Sequence, residues 1–369
     1  GCCILQGATL GLINNCAGVF YSPICKELGF ELGKLTMYRM LYCISSALAL
    51  PFVATSFRKH DVRIVISIAA VIYGGCAALM GTFHELWQWH LTGIIQGIAS
   101  SFVCMIPAPI ILGNLFKKKT GMAVGISAAF SGSSFLGMAI PAFGWRVSYV
   151  AVGIVSTALV LPISLFILRY KPEEMGLLPY GAENVEQRAV SGTSAPASVE
   201  NGTPIKELLR QPEFYIAVGA YWTSVSCAYL NSFLTPCGIA AGLTLQAAAM
   251  MTSISLLGNM SSKLILGKIS DSLGIIRTFE VSIALAFLGH VLLFVGSPET
   301  GSLFYGVTLP LSSVMMPLFC RIFWNGETYS TAYAYSTMVG TLLGAPFNMW
   351  FGTFYDITGD YRLTIGVSA

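Results

Sequence analysis

Residues 245–297 read LQAAAMMTSISLLGNMSSKLILGKISDSLGIIRTFEVSIALAFLGHVLLFVGS. Two long apolar runs, 245–266 and 279–297, stand on either side of a short charged segment. A helix needs about 20 mainly apolar residues to cross a bilayer, so this stretch predicts two membrane-spanning helices joined by a turn. Runs that are continuous over this length favour helices over the alternating strands of a membrane barrel.

Similar apolar runs recur along the whole chain of 369 residues. They predict eleven spans, at 3–24, 37–57, 63–83, 89–115, 121–143, 147–168, 213–238, 245–266, 279–297, 302–323 and 331–354. Residues 363–369 predict the start of a twelfth helix that is truncated in this chain. Because Gly1 already stands at the edge of the first run, we expect the chain to be clipped at both ends.

The composition argues against several classes of protein. Only 10% of the residues are charged and 55% are hydrophobic, whereas about a quarter of a soluble domain is charged. These figures exclude an ordinary soluble enzyme, and no Ser/His/Asp, Cys/His or paired-carboxylate arrangement appears in or near the spans. The net charge of +3 is small and no basic stripe interleaves with aromatic residues, which disfavours nucleic-acid binding.

One long polar segment divides the chain. Its middle, 191–203, is rich in Ser, Gly, Ala and Pro and predicts a flexible linker. We therefore predict an N-terminal six-helix bundle over 1–169, a cytoplasmic linker over 170–211, and a C-terminal bundle over 212–369 with spans seven to eleven and the start of the twelfth. A six-plus-six layout is typical of two structural repeats with a site between them.

The distribution of Lys and Arg predicts the orientation, because cytoplasmic loops carry an excess of both. Fourteen fall on the side of the linker: Arg58, Lys59, Arg63, Lys117, Lys118, Lys119, Arg169, Lys171, Arg188, Lys206, Arg210, Lys268, Arg277 and Arg321. Four fall on the other side: Lys26, Lys34, Arg146 and Arg362. We expect a multi-pass protein of the plasma (inner) membrane with a cytoplasmic amino terminus.

The charged segment after span eight has the pattern GxxxDxxGxxR, with Gly267, Asp271, Gly274 and Arg277 at its marked positions. The two glycines allow a tight turn between spans. Asp271 can cap a helix or pair with Arg277, a contact that breaks when two halves rock. We interpret these four residues as a gating motif. The pattern resembles the loop motif of the major facilitator superfamily, which implies an all-α membrane protein of two six-helix bundles.

Four further segments resemble a branch of that superfamily. They are NLFKKKTGMAVG at 114–125, FGWR at 143–146, PEEMGLLPYG at 172–181 and YDITGDYR at 355–362. Together they resemble the monocarboxylate transporter family and its bacterial oxalate/formate antiporter branch. The resemblance implies a transporter of small carboxylates that works by proton symport or by anion exchange.

Lys263 is the first candidate for binding such an anion, because ionisable groups inside spans are costly and tend to be functional. It lies eight residues before Asp271, about 12 Å deeper at 1.5 Å per residue, and therefore near the midplane of the bilayer. The alternative is a lysine that extends its amine towards the cytoplasm. In the family, a cation four residues before the span-eight glycine contacts the substrate carboxylate, and Lys263 stands four before Gly267.

The chain departs from the family at three positions. Proton-coupled members carry an aspartate four residues before that cation, where this chain has Asn259, which hydrogen-bonds but carries no proton at ordinary pH. They also carry a lysine in span one, where Val19 stands. Oxalate-exchanging members have a second cation in span eleven, near Met338 in this chain. A single central cation suits one carboxylate better than two.

Other polar residues within the spans have two interpretations each. Asn15 and Asn231 line the substrate cavity or hydrogen-bond to neighbouring helices. Tyr335 donates its hydroxyl to an anion or belongs to an aromatic belt. Arg39 is an entrance charge or an interface anchor. His290 relays protons or is a packed neutral histidine, and we favour the latter.

We conclude from the sequence that the chain is a secondary active transporter of small, monocarboxylate-like organic anions, and not an enzyme. Alternatives are an exporter of neutral or amphipathic compounds on the same fold, and a membrane sensor that transports nothing. We expect no cofactor and no metal. The expected partners are the anion, membrane lipid, and protons or a counter-anion, for a monomeric protein.

Overall fold

The computed structural model describes residues 1–105, 107–116, 120–132, 143–168, 205–324 and 326–369, and these are predominantly helical. The N-terminal half comprises α1 (Cys2–Leu28), α2 (Leu32–Lys59), α3 (Val62–Met80), α4 (Leu86–Ser100, continued by Ser101–Met105 and Pro107–Leu115), α5 (Thr120–Ala129, continued by Phe130–Gly132) and α6 (Trp145–Ile167). The all-helical prediction is confirmed for these residues.

The C-terminal half begins after a single helical turn, Ile205–Leu208. It comprises α7 (Pro212–Ala228, continued by Tyr229–Phe233 and Leu234–Ala240), α8 (Leu245–Leu273), α9 (Ile275–Val295), α10 (Pro298–Cys320), α11 (Gly326–Gly344 and Phe347–Thr358) and α12 (Arg362–Ser368). Most of the predicted linker, residues 170–204, lies outside the described residues.

Helices pack against one another within each half, and further contacts join the two halves. In the N-terminal half α2 packs along α4, and α3 along α6; in the C-terminal half α7 packs along α11, and α9 along α10. Contacts between the halves run from α2 to α11 and from α5 to α8. The outcome is an interface between the halves lined by α1, α2, α5, α7, α8 and α11.

The outer surface of the bundle is apolar, as a lipid-facing surface must be. Large hydrophobic side chains point outward on several helices, among them Phe52 at 69% exposure, Phe166 at 74% and Val295 at 74%. Five of the described helices are long and apolar enough to cross a membrane by length and composition: α1, α3, α6, α9 and α10. The complete set of eleven spans with a truncated twelfth stays a prediction.

The turn after α8 differs from the one that the two glycines of the motif predict. Gly267 lies inside α8, which continues to Leu273, and only Gly274 turns the chain, with φ of +83°. A positive φ is accessible to glycine at no steric cost, so a single glycine suffices to join α8 to α9. Arg277 is exposed in the first turn of α9, whereas the side chain of Asp271 lies outside the described part of the structure.

Two adjacent glycines on α3 give a direct test of helix packing. A Cβ on Gly74 would overlap the side chain of Thr157 and the carbonyl of Gly153 on α6, whereas a Cβ on Gly75 would meet nothing within 4 Å. We expect Gly74→Ala to lower the stability in detergent by about 1–3 kcal/mol through overpacking. Gly75→Ala is the matched control, and its gain in helix propensity amounts to about 1 kcal/mol at most. Thermal unfolding of both variants checks this, and equal melting temperatures would contradict the α3–α6 contact.

Candidate functional site

Helices α1 and α7 are both interrupted near their middles. In α1 a π-helical segment, Gly7–Asn14, is followed by a turn at residues 15–16 before the α-helix resumes. In α7 the winding tightens to a 3-10 helix over Tyr229–Phe233. These interruptions bring two asparagines, Asn15 and Asn231, to the contact between the halves, where the Nδ2 of Asn231 donates to the carbonyl of Asn15 at 3.4 Å.

A second pair of interruptions occurs in α4 and α10. Each contains a π-helical segment, Ser101–Met105 in α4 and Leu311–Met315 in α10. Interruptions at corresponding places in two halves are a pointer to the binding site of a transporter, because an unwound backbone offers polar groups to a ligand. Of the two pairs, the one in α1 and α7 lies at the contact between the halves.

Lys263 lies on α8 at this interface and is only 6% exposed. Its ammonium donates to the carbonyl of Ala128 at 3.3 Å and to the hydroxyl of Ser131 at 3.1 Å, both at the end of α5 in the other half. No carboxylate of the described residues lies within ion-pair distance of it. The buried charge is thus held by neutral acceptors alone, which is a costly arrangement that an anion would relieve. The ammonium does not extend to the surface.

A chain of hydrogen bonds connects Lys263 to the two asparagines. Ser131 accepts from Lys263 through its hydroxyl and from the Nδ2 of Asn15 through its carbonyl, the latter at 2.8 Å. Asn231 then accepts from the hydroxyl of Ser255 at 3.0 Å. Side chains of α1, α5, α7 and α8 therefore meet around one polar centre.

Asn259 stands one helical turn before Lys263 on the same helix. It is only 1% exposed, and its Oδ1 has no hydrogen-bond partner among the described residues. A buried amide oxygen without a partner costs free energy comparable to a lost hydrogen bond. Its position beside a buried cation makes it a natural acceptor for a donor on a bound ligand.

Arg39 on α2 is a second interior cation. It is 6% exposed, its Nη2 donates to the Oδ1 of Asn14 at 2.7 Å, and its guanidinium lies over the ring of Tyr42 at 4.7 Å. Its nearest titratable neighbours include Tyr21 and Tyr38, which are also buried. Neither interpretation drawn from the sequence, an entrance charge or an interface anchor, fits a guanidinium so enclosed. Arg39 lies seven residues into α2, about 10 Å along the helix. That depth was the feature of the sequence that could have indicated its burial.

The remaining candidates lie apart from this centre. Tyr335 is half-buried and packs against the hydrophobic cluster that contains Phe214, Tyr221 and Trp324, with no contact to Lys263 in the described structure. His290 is buried; its Nδ1 lies 2.8 Å from the carbonyl of Ala286, and its ring packs against Tyr305. The interpretation of His290 as a packed histidine agrees with these contacts.

The two halves are closed against each other at one end, which we call the Asp356 end. The carboxylate of Asp356 on α11 accepts the backbone N–H groups of Leu32 and Gly33 at 3.2 and 2.7 Å, at the start of α2. Nearby, Gly18 on α1 lies directly against the backbone of Ser232 on α7. Because side chains of both halves form one hydrophobic cluster there, access to Lys263 from this end is blocked.

The same end is braced within the N-terminal half. The carboxylate of Glu27 accepts from the Nε of Arg146 at 2.9 Å and from the indole N–H of Trp145. Arg146 also donates to the carbonyls of Gly81 and Phe83, each at 3.2 Å. These bonds tie the end of α1 to the start of α6 and to the loop after α3.

Known proteins show the same architecture. A sequence model of the Major Facilitator Superfamily matches residues 3–364. The structure is similar to that of a point mutant of the nucleoside transporter NupG, with a TM-score of 0.71 and 13% identity over 100% of this chain and 95% of that one. It is also similar to the D-xylose-proton symporter, with a TM-score of 0.67 and 12% identity over 100% and 93% of the two chains.

A third similar structure is that of a bacterial homologue of the human lysosomal transporter Spinster in an inward-facing and occupied conformation. Its TM-score is 0.65, with 15% identity over 96% of this chain and 81% of that one. No curated protein sequence gives a significant match. Identities this low indicate a shared fold, and they leave the ligand to be argued from the site.

Proposed function

Since this chain belongs to the Major Facilitator Superfamily, a family of secondary transporters, we propose that it moves a small organic anion with a carboxylate group across a membrane by alternating access. The chain is a multi-pass membrane protein of a family that is typically not enzymatic. The superfamily prediction is confirmed. The closer resemblance to monocarboxylate transporters and to the oxalate/formate branch stays a prediction.

The observation that carries the proposal is the environment of Lys263. An ammonium buried between the halves, with Ala128 and Ser131 as its acceptors among the described residues, attracts a carboxylate strongly, because the interior screens charge poorly. Asn259 and Asn15 then orient the bound anion through their amides, and Asn231 holds Asn15 in place. Tyr335 joins the site only if the halves rearrange.

The coupling mechanism follows from the residue types at the centre. Asn259 cannot carry a proton where a carboxylate would, so we propose substrate exchange, or symport in which the anion itself brings the proton. The Gly267–Arg277 segment is proposed as the gate on the cytoplasmic side. In this assignment the Asp356 end faces outward, the amino terminus is cytoplasmic, and the protein resides in the plasma membrane as a monomer.

A neutral polar cargo is the second candidate. Amides and hydroxyls outnumber charges at the centre, which suits a ligand rich in hydroxyl groups. Two proteins of similar fold are a nucleoside transporter and a D-xylose symporter by name. A neutral cargo would leave the charge of Lys263 uncompensated, however, so we rank it below an anion.

Flux into proteoliposomes tests the proposal. The panel contains radiolabelled formate, acetate, lactate, pyruvate and oxalate, with D-xylose, a nucleoside and a hydrophobic cation as alternatives, each with and without a proton gradient. We expect uptake of a carboxylate well above that of empty liposomes. Uptake of only the neutral solutes or the cation would overturn the anion proposal, and no flux of any solute would favour a sensor.

A further inference from the structure

The proposed function assigns no role to Arg39, the second buried cation. Its guanidinium is buried, its Nε has no hydrogen-bond partner among the described residues, and no carboxylate there lies within ion-pair distance of it. A guanidinium stays protonated in proteins, so it cannot escape the cost of burial by losing its charge. Its surroundings are neutral: an asparagine oxygen, tyrosines and a cysteine.

Arg39 lies close to the interface between the halves, because residues beside it contact the C-terminal half. Cys43, one turn further along α2, accepts from the Nδ2 of Asn348 on α11 at 3.7 Å. Asn348 is 1% exposed, and its Oδ1 has no partner in the described structure. Tyr21, which lies close to Arg39, packs against Phe233 of α7 with ring centroids 5.9 Å apart. Arg39 thus faces side chains of both halves, as Lys263 does.

The two cations reach α1 at consecutive residues. Arg39 bonds the side chain of Asn14, and Lys263 reaches Asn15 through Ser131. The two charges therefore meet the interrupted part of α1 at neighbouring positions. Arg39 and Lys263 have no hydrogen-bond partner in common and are connected only through Ser131, Asn15 and Asn14, so each can serve a different group of one ligand.

We propose that Arg39 and Lys263 bind the two ends of one substrate, which makes the transported anion an extended dicarboxylate. This inference rests on the proposed function and names its substrate class. Arg39 binds one carboxylate through the two-pronged face of its guanidinium, and Lys263 binds the other. The acceptor Oδ1 atoms of Asn259 and Asn348 are available to hydroxyl or amino groups between the two carboxylates. Oxalate, whose carboxylates are directly bonded, is too short.

Affinities for matched acids test the dicarboxylate proposal. Dissociation constants for succinate, glutarate and adipate are compared with those for butyrate, valerate and hexanoate, which lack the second carboxylate, by titration of the purified protein. We expect the parent to prefer the dicarboxylate of at least one pair by tenfold or more, and Arg39→Gln to reduce that preference by at least tenfold. Arg362→Gln, which changes an arginine with a 74% exposed side chain, is the control and is expected to keep the preference.

Each outcome separates the two proposals. An unchanged preference in Arg39→Gln overturns the role of Arg39 even where carboxylates still bind. A parent that binds no carboxylate of either series overturns the proposed function itself. If Arg39→Gln does not fold, Arg39→Lys retains the charge without the fork, and we expect it to lower the preference several-fold; equal weakening of both series would again exclude a second carboxylate site.

Discussion

Lys263→Gln is expected to lower carboxylate uptake by about thirtyfold or more. Glutamine retains hydrogen-bonding groups near Ala128 and Ser131 but removes the charge that the carboxylate meets. Loss of one member of a buried charge pair costs about 2–5 kcal/mol, which corresponds to roughly 30- to several-thousand-fold in affinity. Uptake into proteoliposomes measures the effect on transport, and titration of the purified protein measures the effect on affinity.

The stability of the empty protein distinguishes binding from a structural role. If Lys263 only ties α8 to α5, replacement by the shorter glutamine weakens the hydrogen bonds to Ala128 and Ser131 and lowers the melting temperature. If the ammonium belongs to an anion-binding site, its replacement in the empty protein removes an uncompensated buried charge. The melting temperature then stays unchanged or rises. Lys34→Gln is the matched control, because Lys34 is exposed and its ion pair with Glu31 contributes little.

Retained uptake by Lys263→Gln would contradict the central role given to this residue. Lys263→Arg adds a further test, because arginine keeps the charge and adds a planar fork. We expect it to restore at least part of the uptake that glutamine removes. Failure of both variants with unchanged folding would indicate a steric rather than an electrostatic role for the side chain.

The sequence predicts the helical segments and the position of Lys263 inside one of them, because both follow from hydrophobicity, whereas its role in binding stays a prediction. Apolar runs of the required length form helices in lipid wherever they occur, and a charge within such a run is conspicuous. From the sequence, Arg39 is a charge near the end of a span, because hydropathy indicates the depth of a residue in the membrane only roughly. Its burial depends on Asn14, which is 25 residues away in the chain, and no periodic pattern reveals that contact.

Two local features of the fold, the continuation of α8 past Gly267 and the interruptions of α1 and α7, could be found only in the structure. Gly267 was expected to turn the chain, but α8 continues past it to Leu273, since a glycine within a helix costs only about 1 kcal/mol and packing can compensate. The interruptions of α1 and α7 leave no trace in hydropathy. Asn15 and Asn231 signalled polar character in those spans, but their contact arises because the two helices cross there.

Gly18→Leu is expected to abolish transport while carboxylates still bind. A Cβ on Gly18 would overlap the backbone carbonyl of Ser232, and the backbone of α7 cannot yield as a flexible side chain would. The leucine therefore excludes the state in which the Asp356 end is closed, and alternating access requires each end to close in turn. We expect uptake to fall more than tenfold, with the affinity for the anion within a few-fold of the parent.

Hydrogen exchange at the start of α2 reports the same change independently. The N–H groups of Leu32 and Gly33 are held by Asp356 across the two halves, so forcing the Asp356 end open frees them and speeds their exchange. Gly219→Leu is the matched control, because a Cβ on Gly219 of α7 would meet nothing within 4 Å, and we expect normal uptake and exchange. Normal transport by Gly18→Leu would show that the contact between Gly18 and Ser232 does not belong to the transport cycle, and slow exchange in a transport-dead variant would place the block away from the Asp356 end.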